Sequence, residues 1–430
     1  MKLIKKSQSF NIKEYFSYKG KKYNIINFII WEEGVLIMSL ESMIIKKYFK
    51  KEGQMPFKVI FKDGEVLNMG NGDPKFIIKV NGDIDKKLLF TSTSLALGEA
   101  YMDKKLDMES GDLYDALDIV LGKLDDFDVK ESTLSKLIFT STSKQNQKKE
   151  VTSHYDIGND FYSLWLDETM SYSCAYFKNE DDTLYKAQKN KINHILKKLQ
   201  LQEGMSLLDI GCGWGYLLIE AAKKYKVHGV GITLSEQQYL KFKERIKEEN
   251  LEEYLTVELM DYRDLEKSNL KFDRVVSVGM LEHVGRDNYN LFFKNVDSVL
   301  KDQGLFLLHY ISGRKEHQGD PWIKKYIFPG GVIPSLREII NIGSEFDYYT
   351  LDVESLRRHY HKTLLCWYDN YKNNIDKISE MFDERFVRMW GLYLSSCAAS
   401  FNNGMIDLHQ IVFSKGNNNT LEMTRDYLYK

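Results

Sequence analysis

Three glycines at alternate positions form the strongest chemical motif of the sequence. Gly211, Gly213 and Gly215 follow the apolar run LLDI and precede a stretch with helical periodicity. Glycines allow a tight turn and let the backbone approach a bound nucleotide closely. The GxGxG spacing differs from the GxGxxG of dinucleotide sites, and the GK[ST] of a P-loop is absent here. The GxGxG turn favours S-adenosylmethionine over NAD, and Asp209, just before the turn, can orient the loop or contact an amino group. A packing turn that binds no ligand is the alternative.

Polar side chains at the ends of apolar runs supply further candidates for chemistry. Glu282 and His283 follow the run DRVVSV, and His309 lies near the end of LFLLHYI. Parallel sheets bind ligands at the carboxyl ends of their strands, so these groups are expected at one edge. The run that continues into GITLSEQQ has no acidic residue at its end, which leaves Thr233 and Gln238 as candidates for a ribose contact. For the histidine beside Glu282, a supporting role and an ordinary core position are both open.

Two residues have no chemical signature of their own. Cys174 lies in YSCAY, outside any redox or metal-binding pattern, and a lone cysteine is most often a small buried hydrophobe. Tyr360, in HYHKTL, would by itself be interpreted as structural. The four cysteines are more than thirty residues apart and form no CxxC or Cys/His cluster. This spacing argues against a metal site and a disulfide framework, and it suggests the cytosol.

Apolar runs that alternate with helical stretches must position these groups. Helical periodicity is predicted over 216–225, 235–250 and 287–300. The alternation is typical of a doubly wound, mostly parallel α/β sheet, to which two late runs would add two strands. The predicted strands are SLLDI (206–210), VHGVGI (227–232), YLTVEL (254–259), DRVVSV (273–278), LFLLHYI (305–311), YYTLDV (348–353) and HQIVFS (409–414).

The first third of the chain has a different pattern. Residues 55–91 alternate apolar and polar side chains around Asp63-Gly64 and Asn81-Gly82, which predicts short antiparallel strands joined by turns. Helical periodicity over 94–124 completes a small α+β domain. A polar segment short of apolar residues is the expected linker to the second domain. The predicted segments are 1–37, 38–140, the linker 141–153, and 154–430.

Positive charge is concentrated at the N-terminal end of the chain, and the remaining segments are acidic. The whole chain has 60 Lys and Arg against 62 Asp and Glu, and this balance argues against a dedicated nucleic-acid binder. The segment IIKKYFKK mixes lysine with apolar side chains as an interfacial helix does; a solvated helix face is the alternative. Three glutamates interrupt the apolar stretch 25–45, so no transmembrane helix is predicted there. The EEG that precedes Met38 suggests that 1–37 is a translated leader; a genuine basic tail is equally open.

Ten blocks of sequence resemble the cyclopropane-fatty-acid synthases, a family of S-adenosylmethionine-dependent enzymes. The resemblance covers roughly residues 38–430 with the blocks in the family's order. The blocks are LGEAYMDKKLDMESGDLYDAL (97–117), HYDIGNDFYSLWLDETMSYSCAYF (154–177), LLDIGCGWGYL (207–217), GITLSEQQ (231–238), DYRDL (261–265), SVGMLEHVG (277–285), HYISG (309–313), KYIFPGG (325–331), HYHKTLLCW (359–367) and QIVFSKGNNN (410–419).

The resemblance implies a fold and a reaction. The fold is a Rossmann-like class I methyltransferase with a seven-stranded, mostly parallel sheet after a small α+β domain. Members of the family act on cis double bonds of unsaturated acyl chains in phospholipids. The alkene attacks the methyl of S-adenosylmethionine, the new methyl loses a proton, and a cyclopropane ring closes. Such a reaction needs an apolar, aromatic site that tolerates positive charge, where a ring face gives cation–π stabilisation.

The family holds bicarbonate as the base of this reaction. Its five contacts correspond to Cys174, Glu282, His309, Ile311 through the backbone amide, and Tyr360, without a departure from the family pattern. An ionised glutamate that faces an anion is unfavourable, so a shared proton or a raised pKa is expected for Glu282.

The family pattern also implies the cofactor contacts. Two of them follow the third strand, where an adenine would lie and where a solvated loop is the alternative. The implied residues are Tyr172, Ser173, Asp209, Gly211, Gly213, Gly215, Thr233, Leu234, Gln238, Tyr262 and Arg263.

The resemblance also implies a substrate, a cellular location and an oligomeric state. It implies unsaturated membrane phospholipid as substrate, a cytoplasmic protein attached peripherally to the inner face of the membrane, and self-association as a homodimer. Three alternatives are a methyl-branching relative that stops before ring closure, a small-molecule N-methyltransferase, and a non-catalytic phospholipid-binding protein. N-methyltransferase relatives tend to lose the cysteine that is kept here as Cys174. A non-catalytic protein would be expected to lose the glycine turn or Glu282 and His309, which this chain keeps.

Overall fold

The computed structural model describes residues 15–18, 21–24, 55–122 and 157–429. The chain divides into two compact units, Met1–Lys50 and Lys51–Lys430. In the first unit, strand β1 (Tyr15–Tyr18) pairs antiparallel with strand β2 (Lys21–Asn24). The second unit contains a small domain, described over 55–122, and a large domain, described over 157–429.

Three sequence predictions lie outside the described residues, wholly or in part. They are the linker at 141–153, the basic segment IIKKYFKK at 44–51, and the proposed leader 1–37 apart from the eight residues of β1 and β2. The boundaries proposed from these segments stay predictions.

A four-stranded sheet in the order β4-β3-β5-β6 forms the small domain. Its strands are β3 (Phe57–Ile60), β4 (Val66–Met69), β5 (Phe76–Val80) and β6 (Leu106–Ser110). Its helices are α1 (Lys86–Thr91), α2 (Thr93–Met102) and α3 (Leu113–Leu121). Apolar side chains at alternate positions of β3 are buried, and the rings of Phe57 and Phe76 stack across two strands at 5.0 Å. The predicted α+β character of this domain is confirmed.

Two details of the small domain differ from the prediction. Strands β3 and β4 are antiparallel around Asp63-Gly64 as expected, but β5 runs parallel to β3. Strand β4 ends at the edge of the sheet where β3 begins, so the short connection that follows starts β5 at that same edge. Asn81-Gly82 therefore closes no hairpin, and both amides donate to Lys105 O instead. The predicted helical stretch 94–124 is also interrupted by β6, which pairs antiparallel with β5.

The large domain contains a seven-stranded sheet in the order β12-β13-β11-β10-β7-β8-β9. The first five strands along the chain are parallel, and β13 runs antiparallel between β11 and β12. Each predicted run forms one of these strands, so the predicted mostly parallel sheet is confirmed. The strands are β7 (Ser206–Ile210), β8 (His228–Thr233), β9 (Leu255–Leu259), β10 (Phe272–Val278), β11 (Leu300–Gly313), β12 (Tyr348–Ser355) and β13 (Ile406–Lys415).

Helices connect the parallel strands, and the three helical stretches predicted there are confirmed. The helices of the large domain are α4 (Asn159–Ser163), α5 (Leu184–Lys198), α6 (Tyr216–Tyr225), α7 (Glu236–Glu248), α8 (Tyr289–Val299), α9 (Pro321–Tyr326), α10 (Leu336–Glu345), α11 (Arg357–Asn373), α12 (Ile375–Met381), α13 (Glu384–Asn402) and α14 (Asp426–Tyr429). Among the described helices, none is long and apolar enough to cross a bilayer.

Helix α13 carries the main contacts between the two domains. Arg388 donates from Nε to Tyr101 O at 2.7 Å, and its guanidinium lies 4.0 Å from the centre of the Tyr101 ring. The same guanidinium pairs with Asp107 at 3.0 Å. Elsewhere in the interface, Gly98 of α2 lies against Trp322 of α9 so closely that a Cβ would overlap the indole ring. The small domain is therefore packed tightly against the large one.

Candidate functional site

The glycine turn joins β7 to α6 at the carboxyl edge of the sheet. The amides of Gly211 and Cys212 donate to Ile232 O of the neighbouring strand at 2.9 and 3.1 Å, which fixes the start of the turn. Gly215 has a φ of +81°, in the left-handed region that favours glycine. A Cβ at this position would overlap the buried ring of Phe242 on α7. The turn therefore depends on glycine for its backbone conformation and for space.

An open cleft lies beside this turn. All eleven residues that the sequence assigned to the cofactor line it, so the structure brings them together in one place. The cleft is lined by Tyr172, Ser173, Asp209, Gly211, Gly213, Gly215, Thr233, Leu234, Gln238, Tyr262 and Arg263, with Lys191, His283 and others between them. No residue of the predicted set lies elsewhere, and their contacts with a bound cofactor stay predictions.

Two polar groups of the cleft are positioned by local hydrogen bonds. Thr233 Oγ1 donates to Gln238 Oε1 at 2.8 Å, and Ser235 caps the helix that carries Gln238. The Arg263 guanidinium pairs with Asp261 through two bonds of 2.8 and 2.6 Å. The preceding residue, Tyr262, is buried in a 3₁₀ turn, so the alternative of a solvated loop is wrong there.

Lys191 is a functional candidate that the sequence interpretation missed. It lies on the buried face of α5, lines the cleft, and donates to Ser173 Oγ at 2.8 Å. Burial lowers the pKa of this ammonium to about 8, and burial raises the pKa of Asp209 to about 7. Gln188, one turn earlier, donates to the carbonyls of Ser171 and Ser173. The sequence did contain a signal for these two residues, because a lysine and a glutamine lie on the apolar side of a helical pattern.

The five residues predicted to contact bicarbonate are next to the cleft but do not line it. Cys174 follows a cleft residue, Glu282 lies beside His283, and His309 is in register with Val278 of the neighbouring strand, which also lines the cleft. The hydroxyl of Tyr360, from α11, lies close enough to Cys174 and Glu282 for their charges to affect its pKa. The structure therefore places four of the five side chains around one buried region.

Glu282 lies in a 3₁₀ turn directly after β10. Its Oε1 accepts a hydrogen bond of 2.6 Å from the backbone amide of Ile311, and its Oε2 is buried without a partner among the described residues. Burial raises the pKa of this carboxyl to about 7. The direction is the expected one, but its cause is burial, and a proton shared with an anion stays a prediction. The Ile311 amide had been assigned to the anion; here it already donates to Glu282, so an anion would have to share it.

His309 is buried on β11 and accepts or donates only through Nδ1, which lies 3.1 Å from Gln410 Nε2. Its Nε2 has no partner among the described residues. Burial, with Lys191 and Lys198 nearby, holds the pKa of the imidazole well below its ordinary value, so the ring is neutral. Burial likewise keeps the pKa of the Cys174 thiol well above its ordinary value, which argues against a thiolate nucleophile.

Aromatic rings surround this region. The Tyr172 hydroxyl lies 2.7 Å from the hydroxyl of Tyr393 on α13, and the Tyr172 ring meets Trp165 and Trp367 edge-on at 5.2 and 5.5 Å. Trp165 and Trp367 are fully buried. Ring faces without nearby water can stabilise a developing positive charge, so the surroundings fit a reaction that passes through a cation.

The fold and the cleft define a class I S-adenosylmethionine-dependent methyltransferase. A family model described as mycolic acid cyclopropane synthetase matches residues 142–411, and a model of a domain of unknown function matches residues 44–130. The chain belongs to the mycolic acid cyclopropane synthetase family.

Similar proteins support the same class. The cyclopropane-fatty-acyl-phospholipid synthase of Escherichia coli K12 is 41% identical over 361 residues, which cover 83% of this chain and 92% of that protein. A probable fatty acid methyltransferase of Pseudomonas putida is 36% identical over 395 residues, covering 87% and 97%. The solved cyclopropane synthase of Mycobacterium tuberculosis has a TM-score of 0.59 at 35% identity, covering 62% of this chain and 98% of that one. A related mycolic acid cyclopropane synthase, 36% identical, was solved with S-adenosylhomocysteine.

Proposed function

We propose that this enzyme transfers a methylene from S-adenosylmethionine to the cis double bond of unsaturated phospholipid acyl chains and forms a cyclopropane ring. Bicarbonate is the base in this proposal. The observation that carries it is that two polar atoms beside the cofactor cleft, Glu282 Oε2 and His309 Nε2, are buried and have no partner in the part of the chain that the structure describes. Such atoms are costly unless a ligand satisfies them, so they support a small polar ligand in an otherwise aromatic region.

The protonation states in this region suit a small anion. Burial keeps the Tyr360 phenol and the Cys174 thiol protonated by raising their pKa values, so both are neutral donors. The neutral His309 can donate through one ring nitrogen, and Glu282, with a pKa of about 7, carries a proton for a large part of the time near neutrality. These groups hold an anion by hydrogen bonds without a permanent cation that would oppose positive charge on the substrate.

The residues of the chain then have distinct tasks. When bound, S-adenosylmethionine supplies the one-carbon unit and bicarbonate accepts the proton that must leave before the ring closes. The cleft holds the donor, with its glycine turn against the nucleotide and with Ser173 and Lys191 as further lining residues. Trp165, Trp367 and Tyr172 exclude water from the reacting carbons. Membrane phospholipid as the substrate, attachment to the inner face of the membrane and a homodimer are parts of the proposal that rest on the family resemblance.

The direct test uses vesicles of a monounsaturated phospholipid and S-adenosylmethionine with a trideuterated methyl. We expect lipid that gains one methylene and keeps two of the three deuterium atoms. The labelled product should be unchanged by a hydrogenation that reduces alkenes. The second candidate, a methyl-branching enzyme, is supported by the similarity to the probable fatty acid methyltransferase. It would neutralise the cation by losing a proton without closing the ring, so its branched product would keep a double bond, with three deuterium atoms if the proton leaves the chain and two if it leaves the new methyl. A labelled product that is still reduced by alkene hydrogenation would therefore favour it. No labelled lipid at all would overturn both.

Variants test the bicarbonate site separately from the cofactor cleft. Cys174→Ser and Glu282→Gln should lower turnover more than they lower affinity for S-adenosylmethionine. The matched control is Cys366→Ser on α11, a half-buried free cysteine that none of the predicted site contacts involve. Buffer freed of carbon dioxide should reduce turnover of the unaltered enzyme, and added bicarbonate should restore it. Equal loss of turnover and cofactor affinity in both variants would contradict the assignment.

A further inference from the structure

Three polar residues form a row across neighbouring strands of the large sheet. His309 of β11 is in register with Gln410 of β13, and Gln410 is in register with Glu354 of β12. Residues in register on adjacent strands point to the same face of a sheet, so the three side chains share one face. Gln410 and His309 are both buried, with 0% and 1% exposed. Gln410 therefore lies between the imidazole of the candidate site and a carboxylate.

The outer end of the row is a charged cluster. Glu354 Oε2 accepts from Lys198 Nζ at 2.6 Å and lies 2.7 Å from His194 Nε2. Both partners come from α5. Burial raises the pKa of the Glu354 carboxyl, but the hydrogen bond with His194 and the Lys198 ammonium together hold it down at about 2. The charged groups that affect His309 are Lys191, Lys198 and Glu354. The Glu354 carboxylate is thus bonded to two residues of α5.

A neutral histidine has two tautomers, and its partner decides between them. Gln410 Nε2 is an amide donor, and it lies 3.1 Å from His309 Nδ1. With the amide in this orientation Nδ1 accepts, which puts the ring proton on Nε2. That nitrogen is the one without a partner among the described residues. The opposite orientation of the amide would put the proton on Nδ1 and aim a lone pair at any anion.

We propose that Gln410 is a positioning residue that fixes His309 in the tautomer with its proton on Nε2, so that the imidazole is a hydrogen-bond donor to the anion of the reaction. The proposal rests on the proposed function for the identity of that anion, but not for the tautomer. Gln410 has no contact with substrate in this scheme and acts only through the imidazole. A neutral donor is useful here because a charged imidazolium would repel the developing cation.

Substitutions of equal size test the direction of the hydrogen bond. In Gln410→Glu, an ionised carboxylate would accept from Nδ1–H and reverse the tautomer, whereas a protonated carboxyl would still donate and preserve it. We expect turnover of this variant, relative to the unaltered enzyme, to fall about 10–100-fold as the pH rises, the usual range for a residue that orients another. Gln410→Met removes the bond and should lower kcat without this relative pH dependence. The control is Ser414→Ala on the same strand, which loses a bond to Gly416 O.

Nitrogen-15 spectra of histidine-labelled enzyme measure the tautomer directly, without lipid or bicarbonate. The His309 signals are identified by their loss in His309→Asn. We expect the Nε2–H pattern in the unaltered enzyme and a mixture in Gln410→Met. An Nδ1–H pattern in the unaltered enzyme would overturn the proposal whether or not any variant folds. Unchanged kcat in both Gln410 variants would also overturn it. An enzyme that shows the Nε2–H pattern yet alkylates no lipid would refute the proposed function and leave the tautomer assignment standing.

Discussion

Replacing Gly215 by alanine tests how the turn builds the cofactor cleft. The new Cβ would lie closer than 3.0 Å to ring atoms of Phe242, and the residue would have to keep a φ of +81°. The left-handed conformation costs about 1–2 kcal/mol for a residue with a Cβ, and overpacking of a buried ring costs about 1–3 kcal/mol. The free energy of unfolding should therefore fall by about 2–5 kcal/mol.

The same change can be expressed as a shift in melting temperature. An unfolding entropy of about 2.1 cal/mol/K per residue over 430 residues gives roughly 1 °C per kcal/mol. Gly215→Ala should therefore lower Tm by about 2–5 °C in a thermal unfolding assay. Affinity for S-adenosylmethionine, measured by calorimetry, should fall as well, because the strained turn lines the cleft.

A neighbouring glycine separates the two causes. Gly213 has a φ of +55°, and a Cβ there would meet nothing within 4 Å. Gly213→Ala should therefore show only the conformational cost, about 1–2 kcal/mol. Equal losses of stability in the two variants would refute the collision with Phe242. The collision would also be refuted if Gly215→Ala cost as much stability in a Phe242→Leu background as in the unaltered enzyme. The smaller leucine side chain should make room for the methyl and lower that cost.

Three further predictions concern buried groups. Lys198→Met should cost about 1.5–3 kcal/mol in urea unfolding because Asp352 and Glu354 each lose a charged partner, while Arg425 and His194 remain beside them; a loss under 1 kcal/mol would contradict this. The raised pKa of Glu282 contributes stability that is complete below its ordinary value of 4.5 and is lost as the pH rises through about 7. Glu282→Gln should remove this part of the pH dependence, as denaturation at pH 5 and 8 would show. Gly98→Ala should loosen the domain interface, despite better helix propensity, because it collides with Trp322. Faster proteolysis of the small domain checks this, and slower proteolysis would contradict it.

The sheet of the large domain could be predicted because each strand is an apolar run with a clear boundary. SLLDI, for example, follows Glu203 and Gly204 after a single methionine and is bounded by the glycine turn after Ile210, and strand β7 runs from Ser206 to Ile210. The direction of β5 in the small domain could not be predicted in this way. Which neighbour a strand pairs with depends on the path of its connection, and alternation of side chains is the same in parallel and antiparallel pairs.

In the candidate site, too, some features could be predicted from the sequence and others could not. The glycine turn identified the nucleotide cleft because strand, turn and helix follow each other directly along the chain. Lys191 was missed because its burial is decided by packing of α5 against the cleft, and a lysine in a helical pattern is usually solvated. The bond from the Ile311 amide to Glu282 was also missed, since it joins two strand ends that are 29 residues apart in the chain. The family resemblance includes Gln410 in a matching block, but the sequence did not predict its bond to His309, which joins two different strands.

Helix α13 touches both the small domain and the cofactor cleft. Arg388 holds the small domain through Tyr101 and Asp107, and five residues later Tyr393 is bonded to Tyr172 in the wall of the cleft. A helix is stiff over so short a distance, so a displacement at the arginine also moves the tyrosine. Cutting the small domain away would therefore remove a support of the cleft wall, and cofactor affinities measured on the large domain alone would describe a different binding surface.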